Sequence, residues 1–273
     1  MSSRTTLFVR RELAASLNAR WFWAYAALFL LGGLALTAVG LGDAAIYGYR
    51  GFAKAFAGLV HLALLFVPLM ALFPAAAAMA EDRESGALDY VLAQPVTRGE
   101  VYAGKWAGVS LAVLLALTVG YGASAAIAVW RGVPVLLVAL LYVFVALLAL
   151  VFVTLGLCYS TLSASRARAM TIGIVTWLVL AALGTLGVMV AFVRWGFPEL
   201  ALVVWTFVDP VEAFRIGVIA ALDADLSVLG PVGASVTSRL GAAGTQALAA
   251  ASLAVWVAGV WLVGRIGFRR ATG

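Results

Sequence analysis

Long uncharged runs alternate with short charged breaks along this chain. Trp21 to Gly42, Ala55 to Ala80, Trp106 to Trp130, Gly132 to Ser165, Ala169 to Val193 and Leu240 to Gly264 carry no formal charge, with His61 counted as neutral. Each run supplies the roughly 20 apolar residues that a helix needs to cross a hydrocarbon core about 30 Å thick. The pattern predicts an all-α, polytopic membrane protein forming one transmembrane domain over 1–273. Its six spans fall at about 21–42, 57–80, 103–130, 133–158, 169–193 and 242–264. The first run exceeds the roughly 7–15 apolar residues of a signal peptide and is read as a retained helix. Ahead of it, Leu7, Leu13, Ala14 and Leu17 recur at helical spacing beside a polar shoulder of Arg10, Arg11 and Glu12. An amphipathic interfacial helix over 3–18 fits this spacing, and so does an ordinary positive flank that sets topology.

The break at 81–100 is the most informative. Twenty-six residues without a formal charge end in Glu81, Asp82, Arg83 and Glu84, so the chain leaves the apolar phase abruptly. Ser85 and Gly86 follow, and then Leu88, Val91 and Leu92 make one apolar face of a short helix. Pro95 disfavours a helical Gln94 and ends that helix. Thr97 and Glu100, flanking Arg98, have capping-box spacing, so the third span should begin outside the apolar phase. In the same stretch Gly99, Gly104 and Lys105 match part of a Walker A pattern. Trp106 stands where a magnesium-binding Ser or Thr is required and no strand precedes, so no nucleotide site is read here. Gly104 and Gly108 are read as positions of close helix packing.

The stretch 194–239 is too long for a plain connection and too apolar for a disordered one. Asp209, Pro210 and Glu212 form an N-cap, a first-turn proline and a third-position acid, predicting a helix start. Gly230, Pro231 and Gly233 are expected to break the chain before the last span. One or two short helices at or dipping into the outer leaflet, or a surface loop with one amphipathic helix, both fit.

Composition agrees with a membrane setting: 65% of residues are apolar, 11% are charged and the mean hydropathy is +1.09. Of the 18 Lys and Arg, 12 fall on the side holding both termini and the 81–100 break, and 6 on the other. The positive-inside rule then places both termini in the cytoplasm, in a multi-pass cytoplasmic (inner) membrane protein, with 81–100 cytoplasmic and 194–239 extracytoplasmic. The net charge of +6 is divided among loops instead of forming one stripe, which argues for leaflet electrostatics and against nucleic acid. Cys158 is the only cysteine, so an internal disulfide is excluded.

Candidate chemistry is sparse. The runs hold no intramembrane carboxylate, lysine or arginine of the kind that marks ion-coupled carriers. His61, Met70 and Met79 are nine residues apart in succession, two and a half helical turns, so they alternate faces and cannot converge on a metal. No nucleophile, base and acid constellation is evident, and the chain is expected to be neither an enzyme nor a cofactor protein. Pro68 and Pro74 should bend or loosen the second span, as a hinge or as a static kink.

The stretch Glu81 to Lys105 resembles the loop after the second span in permeases of type-2 ABC exporters. Arg10, Arg11, Glu12 and Leu13 resemble that family's interfacial connecting helix, and Asp209 to Arg215 its extracellular segment before the sixth span. Within the class, the chain is similar to permeases associated with nitrous oxide reductase maturation. The resemblance implies a homodimer of six-span subunits, each gripped by a cytoplasmic ABC ATPase that binds ATP and magnesium. A coupling helix would lie within Glu81 to Arg98, with Arg10, Arg11 and Glu12 bracing the same partner. Cargo could be an antibiotic, a peptide, a lipid or a sulfur species. Alternatively, the chain transmits force to a periplasmic maturation protein without passing cargo.

Overall fold

The structure, a computed structural model, describes residues 3–47, 49–130, 132–195, 199–222 and 231–271. Arg131 and Gly230, and the side chains of Arg4, Arg50, Lys54, His61, Trp195 and Arg239, lie outside the described residues. Among the described residues ten helices follow in chain order: α1 (Ser3–Asn18), α2 (Arg20–Tyr47), α3 (Tyr49–Glu84), α4 (Ala87–Leu92), α5 (Arg98–Trp130), α6 (Val135–Leu162), α7 (Arg166–Trp195), α8 (Glu199–Val208), α9 (Pro210–Ala221) and α10 (Pro231–Ala271). No strand occurs among the described residues.

Four stretches among the described residues are long and apolar enough to cross a membrane: Leu62–Glu84, Arg98–Trp130, Val135–Leu162 and Gly241–Arg270. The shorter Arg20–Ala35 is also apolar. Helix α3 stays helical through Pro68 and Pro74 and runs on to Glu84, so the charged residues after the second apolar run extend the membrane helix itself. Helix α5 has 33 residues, about 50 Å at 1.5 Å per residue, and therefore overruns a 30 Å apolar layer.

Helices α3 and α6 form the centre. Val67, Ala71, Leu72, Ala75, Ala76 and Met79 of α3 and Leu148, Ala149, Phe152 and Leu157 of α6 are wholly buried. In lipid no hydrophobic force separates helix from solvent, so close backbone approach through small residues takes over. At Gly156 an added Cβ would lie 2.7 Å from the Leu72 carbonyl and 2.9 Å from the Ala75 Cβ. Helices α2 and α7 each pack along α3, and α10 packs on α6 and α9. Large apolar side chains stay exposed on α7 (Val175, Leu178, Val179) and α10 (Val255, Leu262, Val263), as lipid-facing positions require.

The break expected at Gly230, Pro231 and Gly233 lies partly outside the described residues; α10 is helical from Pro231 through Gly233, and an interruption falls at Gly241, where φ is 68° and ψ 173°. Glycine meets the positive φ at low cost, whereas proline is well suited to start a helix. Helix α1, read from its sequence only as amphipathic, packs on the protein through residues other than Leu7. Thr5, Val9 and Ser16 are buried there, while Leu7 is exposed. In a bilayer an apolar residue gains as much by facing lipid as by facing protein, so the leucine pattern does not select the packing face.

Candidate functional site

The richest polar constellation lies where α3 ends, beside α1 and α4. Four consecutive ionisable residues on a helix point about 100° apart and so sweep its whole circumference. Asp82 and Arg83 find separate neighbours, and Glu81 and Glu84 share Arg166. Asp82 reaches Lys105 of α5 at 2.7 Å, and the same ammonium contacts Glu12 of α1 at 2.5 Å and the Ala78 carbonyl at 2.8 Å. The Lys105 side chain is only 5% exposed, and burying an ammonium is tolerable only with such partners. Arg83 donates to the Ser163 carbonyl at 2.6 Å and the Thr161 carbonyl at 3.1 Å, satisfying carbonyls that α6 leaves free at its C-terminus. Ser160 reciprocates, its hydroxyl accepting from the backbone amides of Met79 (3.0 Å) and Ala80 (2.9 Å). Glu84 accepts from the Arg166 amide at 2.8 Å, capping the start of α7, while Glu81 pairs loosely with the Arg166 guanidinium at 3.5 Å. The acidic run thus locks α3 to α1, α5, α6 and α7.

Helix α1 completes this collar by lying against α5 at two glycines. A Cβ on Gly104 would lie 3.3 Å from the Thr5 carbonyl, and one on Gly108 3.2 Å from the Val9 carbonyl. The close packing expected of both glycines is what they provide. Arg10 and Arg11 remain exposed on the outer side of α1, one residue from the partly buried Glu12.

Helix α4 hangs from the collar. Gly86 turns the chain with φ 73°, a left-handed conformation that suits glycine. Leu88, 2% exposed, and Val91 press inward, with Leu92 half-buried. Ser85, Gly86, Asp89, Ala93, Gln94, Pro95 and above all Tyr90, 73% exposed, form the outer face. At the far side the capping box closes. The Thr97 amide and hydroxyl donate to Glu100 at 2.9 and 2.8 Å, and the Glu100 amide donates back to the Thr97 hydroxyl at 3.3 Å. Arg98 donates to the Arg269 carbonyl of α10 at 3.0 Å. A six-residue helix that could not persist alone is held at both ends by long helices.

At the opposite end, Asp209 caps α9, accepting from the amides of Val211 (2.8 Å) and Glu212 (3.4 Å), with Pro210 as the first helical residue. Glu212 pairs with Arg215 at 2.8 Å. Asp209 is 3% exposed, and its Oδ2 faces Gly184 of α7 without a hydrogen-bond partner. Burial drives its pKa up to about 6 against the two amide bonds, which favour the carboxylate. Helix α10 satisfies the last carbonyls of this hairpin: Ser252 donates to Phe207, Trp256 to Val208 at 2.7 Å and Gln246 to Ala220 at 3.0 Å. Among the described residues no group of three or more His, Cys, Asp or Glu side chains is placed to hold a metal ion.

A family profile described as "ABC-2 family transporter protein" matches residues 7–271. The chain belongs to the ABC-2 transporter family. Two relatives, from Pseudomonas aeruginosa and Stutzerimonas stutzeri, are both named "Probable ABC transporter permease protein NosY". The first is 36% identical over 125 residues, 46% of this chain and 45% of the relative. The second is 32% identical over 116 residues, 42% of each. The matched stretch therefore spans a little under half the length of each relative. As an ABC-2 permease-type membrane protein, the chain places its most tightly braced polar cluster immediately behind an exposed short helix. The sequence reading passed over Lys105, as part of a false nucleotide motif, and over Asp89 and Tyr90. The signal for Tyr90 was present, since it stands opposite Leu88 and Val91 on a helical wheel. The pairing of Lys105 with Glu12, 93 positions away, had no local signature.

Proposed function

We propose that this ABC-2 family chain is the membrane-spanning permease subunit of an ATP-binding cassette exporter. In this reading it has six spans, both termini lie in the cytoplasm, and two copies pair in the cytoplasmic membrane. Helix α4 is the coupling helix that a separate cytoplasmic ATPase grips, with Arg10 and Arg11 of α1 bracing the same partner. ATP and magnesium belong to that ATPase. The observation that carries the reading is the division of labour at α4. Its inner face packs on α3 and its ends run on into α3 and α5, while its outer face presents Asp89, Tyr90 and Gln94. A rod so held passes applied force to helix tilt instead of dissipating it in loop motion.

Likeness to the two NosY relatives favours a role in nitrous oxide reductase maturation, with a periplasmic maturation protein as the receiving partner. Direct force relay is the second reading. The α8–α9 hairpin, pinned to α10 by Gln246, Ser252 and Trp256, supports it by offering a firm outer platform.

Reversing the charges of Glu81, Asp82 and Glu84 would test the collar and not the partner contact. The clean probes are Asp89→Arg and Tyr90→Ala. Co-purification from the native host should yield a protein with a Walker A motif and ATPase activity. Each variant should insert normally and lose about ten-fold or more of that co-purifying activity, the equivalent of about 1.4 kcal/mol. Unchanged recovery in both variants removes α4 as the grip.

A further inference from the structure

A second polar site lies on the side of the collar away from α4. Helices α2 and α7 both pack along α3 and make no comparable contact with each other, which leaves a cleft of about 590 Å³ between them. The cleft is open on one side, and its volume falls within the roughly 300–1,000 Å³ range of ligand pockets. Its walls are apolar and aromatic: Trp21 and Tyr25 from α2, Phe73 and Pro74 from α3, Met170 from α7. Helix α1 and the residue after it line the cleft as well, through Ala15, Ser16, Ala19 and the Lys105-bound Glu12, and the exposed charges along it are Glu81 and Arg166. From Glu81 down to Phe73 is eight residues of helix, about 12 Å, which takes the cleft from the charged boundary into the apolar layer.

We propose that this cleft binds one zwitterionic phospholipid with a primary ammonium headgroup, of the phosphatidylethanolamine class, from the leaflet on the α4 side. Two observations select this occupant. The depth and the change from charged rim to apolar wall match a headgroup followed by the first acyl segments. The rim also offers charges of both signs. Glu81 and Arg166 are 64% and 49% exposed and stand 3.5 Å apart, a solvent-screened pair with little holding it together. A lipid phosphate can take the Arg166 guanidinium in charge-assisted bonds while the ammonium donates to Glu81, so both partners exchange a loose contact for a directional one. A trimethylammonium headgroup has no N–H to donate. A phosphoglycerol headgroup is anionic, has no cation to offer Glu81, and would confront that carboxylate. Trp21 and Tyr25 sit where amphipathic rings favour the membrane boundary. Once bound, the lipid joins α2 to α7 across the gap that the protein leaves open. The site stands independently of the ATPase reading.

The full chain, purified in detergent, is incubated with palmitoyl-oleoyl phosphatidylethanolamine, phosphatidylcholine or phosphatidylglycerol, and retained lipid is counted by native mass spectrometry. One phosphatidylethanolamine per chain should be retained, with a preference of about ten-fold over each of the other two lipids. Glu81→Gln and Arg166→Gln, at exposed positions, should each erase most of that preference without altering the melting temperature of the lipid-free protein. Ala77→Phe, which fills the cleft, should abolish retention. Equal retention of either competing lipid overturns the proposal. So does retention of none because a second copy of the chain fills the cleft, or a preference unchanged in the two Gln variants. Because no ATPase enters the measurement, its failure leaves the coupling assignment untouched.

Discussion

Lys105 shows how a single buried charge can organise this end of the molecule. Its ammonium has three oxygen partners on two helices, α1 and α3, so removing it leaves Glu12 and Asp82 facing one another with no cation between them. Breaking a buried pair from one side typically costs about 3–5 kcal/mol. Lys105→Met should lower the thermal melting point clearly, and Lys105→Met combined with Glu12→Gln and Asp82→Asn should recover part of the loss. Melting of the purified chain in detergent measures both. Asp209 carries a different signature. Its pKa rises from 3.8 unfolded to about 6 folded, so between these values the folded state holds a proton that the unfolded state has lost. Stability contributed by that proton is therefore full below pH 4, falls as pH rises toward 6, and is level above. Asp209→Asn keeps the carbonyl that caps α9 and removes the titration. Its melting temperature should lose the decline that the parent protein shows between pH 4 and 6, and an identical decline in both proteins would exclude Asp209 as its source.

At the scale of the element, what was legible in the sequence depended on whether the signal was local. The capping box at Thr97 and Glu100, the cap at Asp209 and Pro210, and the glycines of α5 are read from residues a few positions apart, and each forms. Burial of Leu88 and Val91 followed from helical spacing in the same way. The inward face of α1 was not legible, because the bilayer lets Leu7 point outward at no cost. The collar was half legible. Four charges in a row announced the exit from the apolar phase, but their assignment to α1, α5, α6 and α7 depends on pairings 78 to 93 positions apart, and on Lys105 at closer range. The α1–α5 contact is the most direct test of element packing. Gly108→Leu would push a side chain into the Val9 carbonyl and the Glu12 side chain, so α1 should lift while the spans remain inserted. With buried Cys158 as the only native thiol, Val9→Cys, buried against α5, reports this cleanly. Its maleimide labelling should be slow in the parent background and several-fold faster with Gly108→Leu.

At the scale of the whole molecule, the two polar ends are joined by the α3–α6 core and by α10, which touches both. Arg98 holds the C-terminal end of α10 at the start of α5, and the middle of α10 supplies the side chains that cap α8 and α9. If force enters at α4 and leaves at the α8–α9 hairpin, the two ends should fail separately. Ser252→Ala with Trp256→Phe removes two bonds to the last carbonyls of α8 and leaves the aromatic packing of residue 256 nearly intact. Each bond contributes about 1 kcal/mol, so the pair should loosen the hairpin without unfolding a bundle whose core lies elsewhere. The double variant should therefore retain insertion and the full ATPase co-purification that Asp89→Arg loses, yet lose function in cells. Proteolysis of the hairpin in right-side-out vesicles should accelerate in the double variant and stay at the parent rate in Asp89→Arg. Were the double variant instead to lose the ATPase together with the hairpin, the ends would not be separable, and α10 would be holding the bundle together as a whole instead of carrying motion from one face to the other.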